Sequence, residues 1–301
     1  MTQIAPDEEG ARRSRVVGAG FMIAAGLQFI AMDTASKAMV ADYSFMQITW
    51  GRYFFHMLPI VIWIAIRRRP GIVRTHRPGL QLVRSALLFV SSAVFVLALN
   101  YLPLADTVTL NYTGPLLVTA LSVPLLGEKV GWRRWAAVFV GFLGVLVVVR
   151  PGFAEVHWAV VLPLTTATVF AFYHIATRLL AGTDDPMTTI LWSSFVGTAI
   201  STACLPFVWT PPDLWGWVGL IAIGALGASG HLSFIHAFSH APPSFLAPLT
   251  YLGLIWATLL GWILFDHLPD GPTFLGMAII AGSGLYILYR ESVRRRERKG
   301  R

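Results

Sequence analysis

Asp33, Lys37 and Arg52 stand inside otherwise apolar runs, where an ionisable group is costly and is retained for pairing or for function. With the first turn near Asp42, Asp33 precedes it by nine residues and Arg52 follows it by ten. At 1.5 Å per helical residue, both lie about 13–15 Å below that turn. Acid and guanidinium then face each other, and Lys37, one helical turn from Asp33, shares its face. One acid between two bases can neutralise itself as a structural cluster, or it can serve as a gate or a docking point for a substrate carboxylate. A second set is polar and aromatic: Asn111, Tyr112, Tyr173, His174, His231, Thr250 and Tyr251. Such rings offer flat faces to an apolar or aromatic side chain, while Asn, Thr or His can bond an ammonium or a carboxylate. Each is also an ordinary packing residue, and together they form a candidate cavity lining.

Other chemistries have weaker support. Gly227-Ala228-Ser229-Gly230 has the form of an intramembrane serine-protease motif, but a protease needs a base and oxyanion donors. Only His174 or His236 could serve as that base, and no flanking pattern supports either. Asp184-Asp185 is a single acidic pair before Pro186, too little for a phosphate-handling transferase. There is no phosphate-binding Gly-rich loop with Lys, so ATP does not drive this chain directly. The single cysteine, Cys204, excludes intramolecular disulfides and Cys-based zinc sites. No catalytic residues, metal site or cofactor are therefore expected. Asp106 reads as a helix N-cap and Glu128 as a helix-end residue.

The elements that must position these residues follow from composition. Of 301 residues, 55% are hydrophobic and 13% charged, against about 25% charged in a soluble domain. Spans are expected near 16–40, 44–66, 80–100, 104–126, 132–149, 157–180, 186–208, 213–238, 243–264 and 272–290. The runs are too long and too continuously apolar for barrel strands. With ten spans both termini share one side, and 20 of the 23 Lys and Arg fall on that side. Lys37 and Arg150 fall opposite, and Arg52 lies within a span. The positive-inside rule makes both termini cytoplasmic. The run Arg294-Arg295-Arg296 then reads as an anchor against anionic lipid rather than a nucleic-acid site.

At an offset of 139, residues 95–121 align with 234–260 through eight identities in 27, among them Phe95/Phe234, Pro103/Pro242, Tyr112/Tyr251 and Gly114/Gly253. Five spans per copy is an odd number, so the copies enter the membrane from opposite sides. Inverted repeats place a substrate site near the midplane and let one half rock against the other. Asn111 and its mate Thr250 sit at equal depth from opposite faces, and Pro115 removes a backbone hydrogen bond beside Asn111. The organisation expected is a tail 1–15, repeats 16–150 and 151–290, and a basic tail 291–301.

Leu102-Pro103-Leu104-Ala105-Asp106 to Pro115, then Pro124-Leu125-Leu126-Gly127-Glu128 to Gly141, Gly144, Arg150 and Pro151, resembles the EamA-type members of the drug/metabolite transporter superfamily. The second copy departs from that pattern, with Phe265-Asp266-His267 where the family usually repeats Gly-Glu. The resemblance implies an all-α membrane protein: ten helices as two inverted five-helix repeats around a central cavity, in a bacterial inner membrane. It implies a carrier, not an enzyme, that exports neutral and aromatic amino acids by alternating access. The alternative is a multidrug or other metabolite exporter of the same fold. The partners expected are a small-molecule substrate and the lipid bilayer, with no nucleic acid.

Overall fold

The computed structural model describes residues 8–67, 70–128, 130–151, 157–180 and 182–299. Arg68, Arg69, Lys129 and Arg301, counted in the charge bias, lie outside them. The described chain is helical and supplies ten helices long and apolar enough to cross a membrane. Spans one to three are α1 (Glu8–Met39), α2 (Phe45–Arg67) and α3 (Pro78–Tyr101). The fourth is divided into α4 (Leu104–Asn111) and α5 (Gly114–Leu126). The fifth to eighth are α6 (Trp132–Val149), α7 (Val161–Leu180), α8 (Pro186–Cys204) and α9 (Leu214–His240). The ninth starts as α10 (Pro243–Leu246), passes through a 3₁₀ segment at Ala247–Tyr251 and continues as α11 (Leu252–Phe265); α12 (Gly271–Lys299) carries the tenth.

The repeat governs the packing. The main contacts are α1 on α9, α3 on α7, α2 on α9, α3 on α8, α5 on α7 and α1 on α11. Exchanging each span for its repeat mate turns each of these pairs into another on the same list. The pairs α2 with α8, α6 with α12 and α4 with α11 map onto themselves. Helix ends repeat as well. Gly127 closes α5 with φ 65° and Asp266 closes α11 with φ 52°. In both turns the N–H groups of the closing residue and of the one after it return to matching carbonyls, Val123 and Ser122 in one copy, Trp262 and Gly261 in the other. Asp is among the few side chains that accept the left-handed region, which is how the second copy keeps the turn without its glycine.

Within lipid there is little hydrophobic drive between helices, so small residues that allow close approach hold them together. A Cβ on Gly276 would lie 2.7 Å from the Gly144 carbonyl, and one on Gly230 would lie 2.9 Å from the Phe29 ring. Gly141 and Gly224 are backed in the same way, by Leu116 and by Phe55. A buried apolar cluster of Ile30, Phe95, Leu99, Leu104, Val108, Tyr251 and Leu254 joins the first, third, fourth and ninth spans around the two broken ones.

Candidate functional site

The fourth span breaks because three features coincide. Thr113 turns its hydroxyl to the Leu110 carbonyl at 2.8 Å, Gly114 follows, and Pro115 has no N–H to continue the ladder. In the ninth span, Pro248 sits in the 3₁₀ stretch, and Thr250 bonds the Ala247 carbonyl at 2.7 Å. The two breaks meet. Tyr112 donates its hydroxyl to the Thr250 carbonyl at 2.6 Å, and the Tyr112 and Tyr251 ring centroids are 5.3 Å apart. The sequence-nominated Asn111, Tyr112, Thr250 and Tyr251 thus form one group at the crossing of the repeats. Asn111 Oδ1, Tyr251 Oη and Trp256 Nε1 are buried there without a hydrogen-bond partner among the described residues. Such atoms are rare in folded proteins, and each calls for a ligand, a water or a functional role.

Asp33 and Arg52 form an ion pair, with side chains 14% and 11% exposed. Arg52 also donates to Ser92 at 3.2 Å and to Ser36 at 3.3 Å. Tyr112 lies within electrostatic range of Asp33, which attaches the pair to the crossing. Lys37 corrects the expectation of one acid between two bases. Its ammonium turns away and donates to the Leu99 carbonyl at 2.6 Å and the Leu102 carbonyl at 3.1 Å, capping the end of α3. Carbonyls at a helix C-terminus attract a cation, and the long Lys side chain reaches them.

The remaining nominated residues lie in two neighbouring groups. Tyr173 meets Arg84, which was counted from sequence among the charges flanking the spans but is only 4% exposed. Arg84 donates to Tyr173, Thr177 and Ser193, each at 2.8 Å, and to the Thr189 carbonyl at 3.2 Å. No carboxylate lies within ion-pair distance of it among the described residues. Phe170 stacks on Tyr173 and meets His174 edge-on at 4.5 Å, with its ring beside Gly114 at the break. His231 packs edge-on against His56, 5.0 Å between centroids, and His56 Nδ1 is 2.8 Å from Ser194 Oγ. Tyr53 lies within electrostatic range of both Arg52 and Arg84 and connects the groups. Sequence reasoning missed Arg84, His56, Ser194 and Phe170. The available signal was an arginine inside Leu82-Val83-Arg84-Ser85-Ala86, two turns into a span.

The protease reading finds no geometry. Ser229 Oγ donates to the Leu226 carbonyl of its own helix at 3.1 Å, and no histidine bonds it among the described residues. Asp106 is not an N-cap either: Pro103 holds that position, and Asp106 sits in the first turn with its Oδ2 3.9 Å from His267 Nε2. Glu128 pairs with Arg178 at 2.9 Å.

An inverted five-plus-five bundle with broken helices crossing at its centre defines a membrane carrier. The sequence profile of the EamA-like transporter family matches residues 16–150 and again 157–289, and the chain belongs to that family of the drug/metabolite transporter superfamily. Among its relatives is a riboflavin transporter of Vibrio cholerae, 30% identical over 93% of this chain and 96% of that protein. An S-adenosylmethionine uptake transporter of Rickettsia bellii is 24% identical over 91% and 94%. A pseudopaline exporter of Pseudomonas aeruginosa is 24% identical over 86% and 91%. One crystal structure, 20% identical, aligns with a TM-score of 0.63 over 95% of this chain and 99% of that one, a likeness of fold. The chain is thus a transporter and not an enzyme, and none of these names mentions amino-acid export.

Proposed function

We propose that this protein is an alternating-access carrier for a small amphipathic metabolite combining a planar ring with an amino-acid-type polar group. Aromatic amino acids are the smallest members of that class, and the other neutral amino acids share its polar group. The observation that carries the reading is the crossing itself: two broken helices bring Tyr112, Thr250 and Tyr251 together, the Tyr251 Oη is buried without a partner among the described residues, and so is the Oδ1 of Asn111, which precedes Tyr112 in the chain. Tyr112, Tyr251 and Trp256 offer faces to a ring. The interior carries two guanidinium groups, Arg52 and Arg84, and among the described residues Asp33 is the one acid that pairs with either, which suits a substrate carboxylate. His174 packs against Phe170 and His231 against His56, in the two groups that neighbour the crossing. Riboflavin and S-adenosylmethionine, named for two relatives, each contain a planar heteroaromatic ring, and S-adenosylmethionine also has an amino-acid end. The charge bias supports cytoplasmic termini in an inner membrane, and the gradient of the substrate sets the direction of net flux.

The test is counterflow into proteoliposomes. Labelled phenylalanine, riboflavin and S-adenosylmethionine are offered in turn, with phenylalanine and its amide as competitors. Saturable counterflow of at least one is expected, with the acid competing better than the amide. Asn111→Ala is expected to lower the rate at least ~tenfold at unchanged folded yield, since a buried site that loses a hydrogen bond to a charged group gives up about 1.5 kcal/mol or more. Wild-type saturation kinetics in that variant would remove Asn111 from the site.

A further inference from the structure

At the surface of the bundle, α6 and α12 line a groove of about 470 Å³. They touch at the level of Gly144 and Gly276. Toward the end of the bundle that carries both termini, Ala136, Val140, Ile279 and Gly282 wall an apolar trough with Trp132 and Tyr286 at its rim. A Cβ placed on Gly282 would meet nothing within 4 Å. The trough leads into a second hollow of about 200 Å³ whose lining includes Arg133, Arg134 and Arg290. The Arg133 guanidinium lies over the Trp132 ring, 5.6 Å from its centroid. Glu291 is the acid adjoining this group in the chain, so positive charge is in excess.

Hydrocarbon walls below, aromatic residues at the boundary and guanidinium groups at headgroup depth match the parts of one molecule. Basic pockets between spanning helices on this side suit anionic lipid headgroups. We propose that the α6–α12 groove binds one anionic phospholipid of the leaflet facing the termini, its phosphate held by Arg133 and Arg290 and one acyl chain lying along Gly282. A second copy of the chain fits the groove poorly, because a two-fold contact here sets the two arginine groups against each other.

The test uses the purified full chain. Native mass spectrometry and thermal melting are followed during titration with phosphatidylglycerol and with phosphatidylcholine of identical acyl chains. The expected result is one retained phosphatidylglycerol and a higher Tm, with neither effect from phosphatidylcholine. Arg133→Gln with Arg290→Gln should weaken phosphatidylglycerol retention at least tenfold. Gly282→Leu, which adds a side chain into open space, should displace it while leaving counterflow in phosphatidylcholine liposomes unchanged. Equal retention of the two lipids, or retention unaffected by both variants, would overturn the proposal. So would a chain that dimerises with rising concentration and is returned to monomer by Gly282→Leu, since the groove would then belong to a second copy.

Discussion

Asp33→Asn leaves the Arg52 guanidinium nearly buried without its counter-charge. Removing one partner of such a pair costs about 3 kcal/mol, whereas removing both is far milder. The single variant is therefore expected to melt well below wild type in detergent, and Asp33→Asn/Arg52→Gln to recover most of the loss. Equal melting of the two would mean that the pair contributes nothing by charge. This pair was legible in sequence because depth along two helices from a shared turn is a one-dimensional quantity. Lys37 was not, since its flexible side chain chooses between an acid and a set of carbonyls according to which neighbour comes within reach, here the end of α3. Arg84 was misplaced for a related reason: its position two turns into a span fits an interfacial side chain, and only the packing of α7 and α8 around α3 makes it a buried cation.

The broken spans are the elements on which the site depends. Gly114→Ala with Pro115→Ala restores a backbone donor and helix propensity at the break, and the added Cβ at Gly114 has room, its nearest neighbours being 3.9 Å away. Counterflow is expected to fall several-fold while the melting temperature holds or rises, because α4 and α5 gain continuity at the expense of the unwound turn. Retained wild-type flux at higher stability would show that the break is dispensable. Pro115 marked this break in the sequence. Pro248 did not mark its counterpart as clearly, since a 3₁₀ segment needs no vacant backbone donor to form and depends on what packs around it. The Asp106 position shows the same limit: a short joint followed by an apolar run announces a helix start, but Pro103, with its fixed φ, took the boundary three residues earlier.

Over the whole molecule, the halves are tied together near the ends of the spans. Asp184 of the second half accepts hydrogen bonds from Thr75, the His76 backbone N–H and the Gln81 amide of the first. Burial opposes its ionisation, but these donors prevail and hold the carboxyl well below its ordinary value of 3.8. At the opposite ends, the Arg150 hydrogen bond is the main cause lowering Asp270 to about 2, with Thr273 assisting. Both shifts are depressions, so the stability they bring is fully present above the unfolded value near 3.8 and is lost as pH falls through the folded values. The melting temperature is expected to be level from neutral pH to about pH 5 and to drop below pH 4. Asp184→Asn should melt lower at neutral pH and show a shallower acid drop; a parallel, undiminished drop would remove Asp184 as a cause.

Hydropathy and charge placement determined the membrane class and the ten spans, because burial in lipid is a requirement each segment meets largely by itself, and the 139-residue repeat determined the doubled architecture. The repeat offset likewise paired Tyr112 with Tyr251 and Asn111 with Thr250. Which residues share a site depended on contacts between segments far apart in sequence. Tertiary structure alone joined Tyr112 to the Thr250 carbonyl, enclosed Arg84 among hydroxyls and set His56 against His231. A polar side chain within a span takes its partner from whichever helix packs beside it, and that neighbour is fixed by the fit of small residues between helices rather than by the span's own composition.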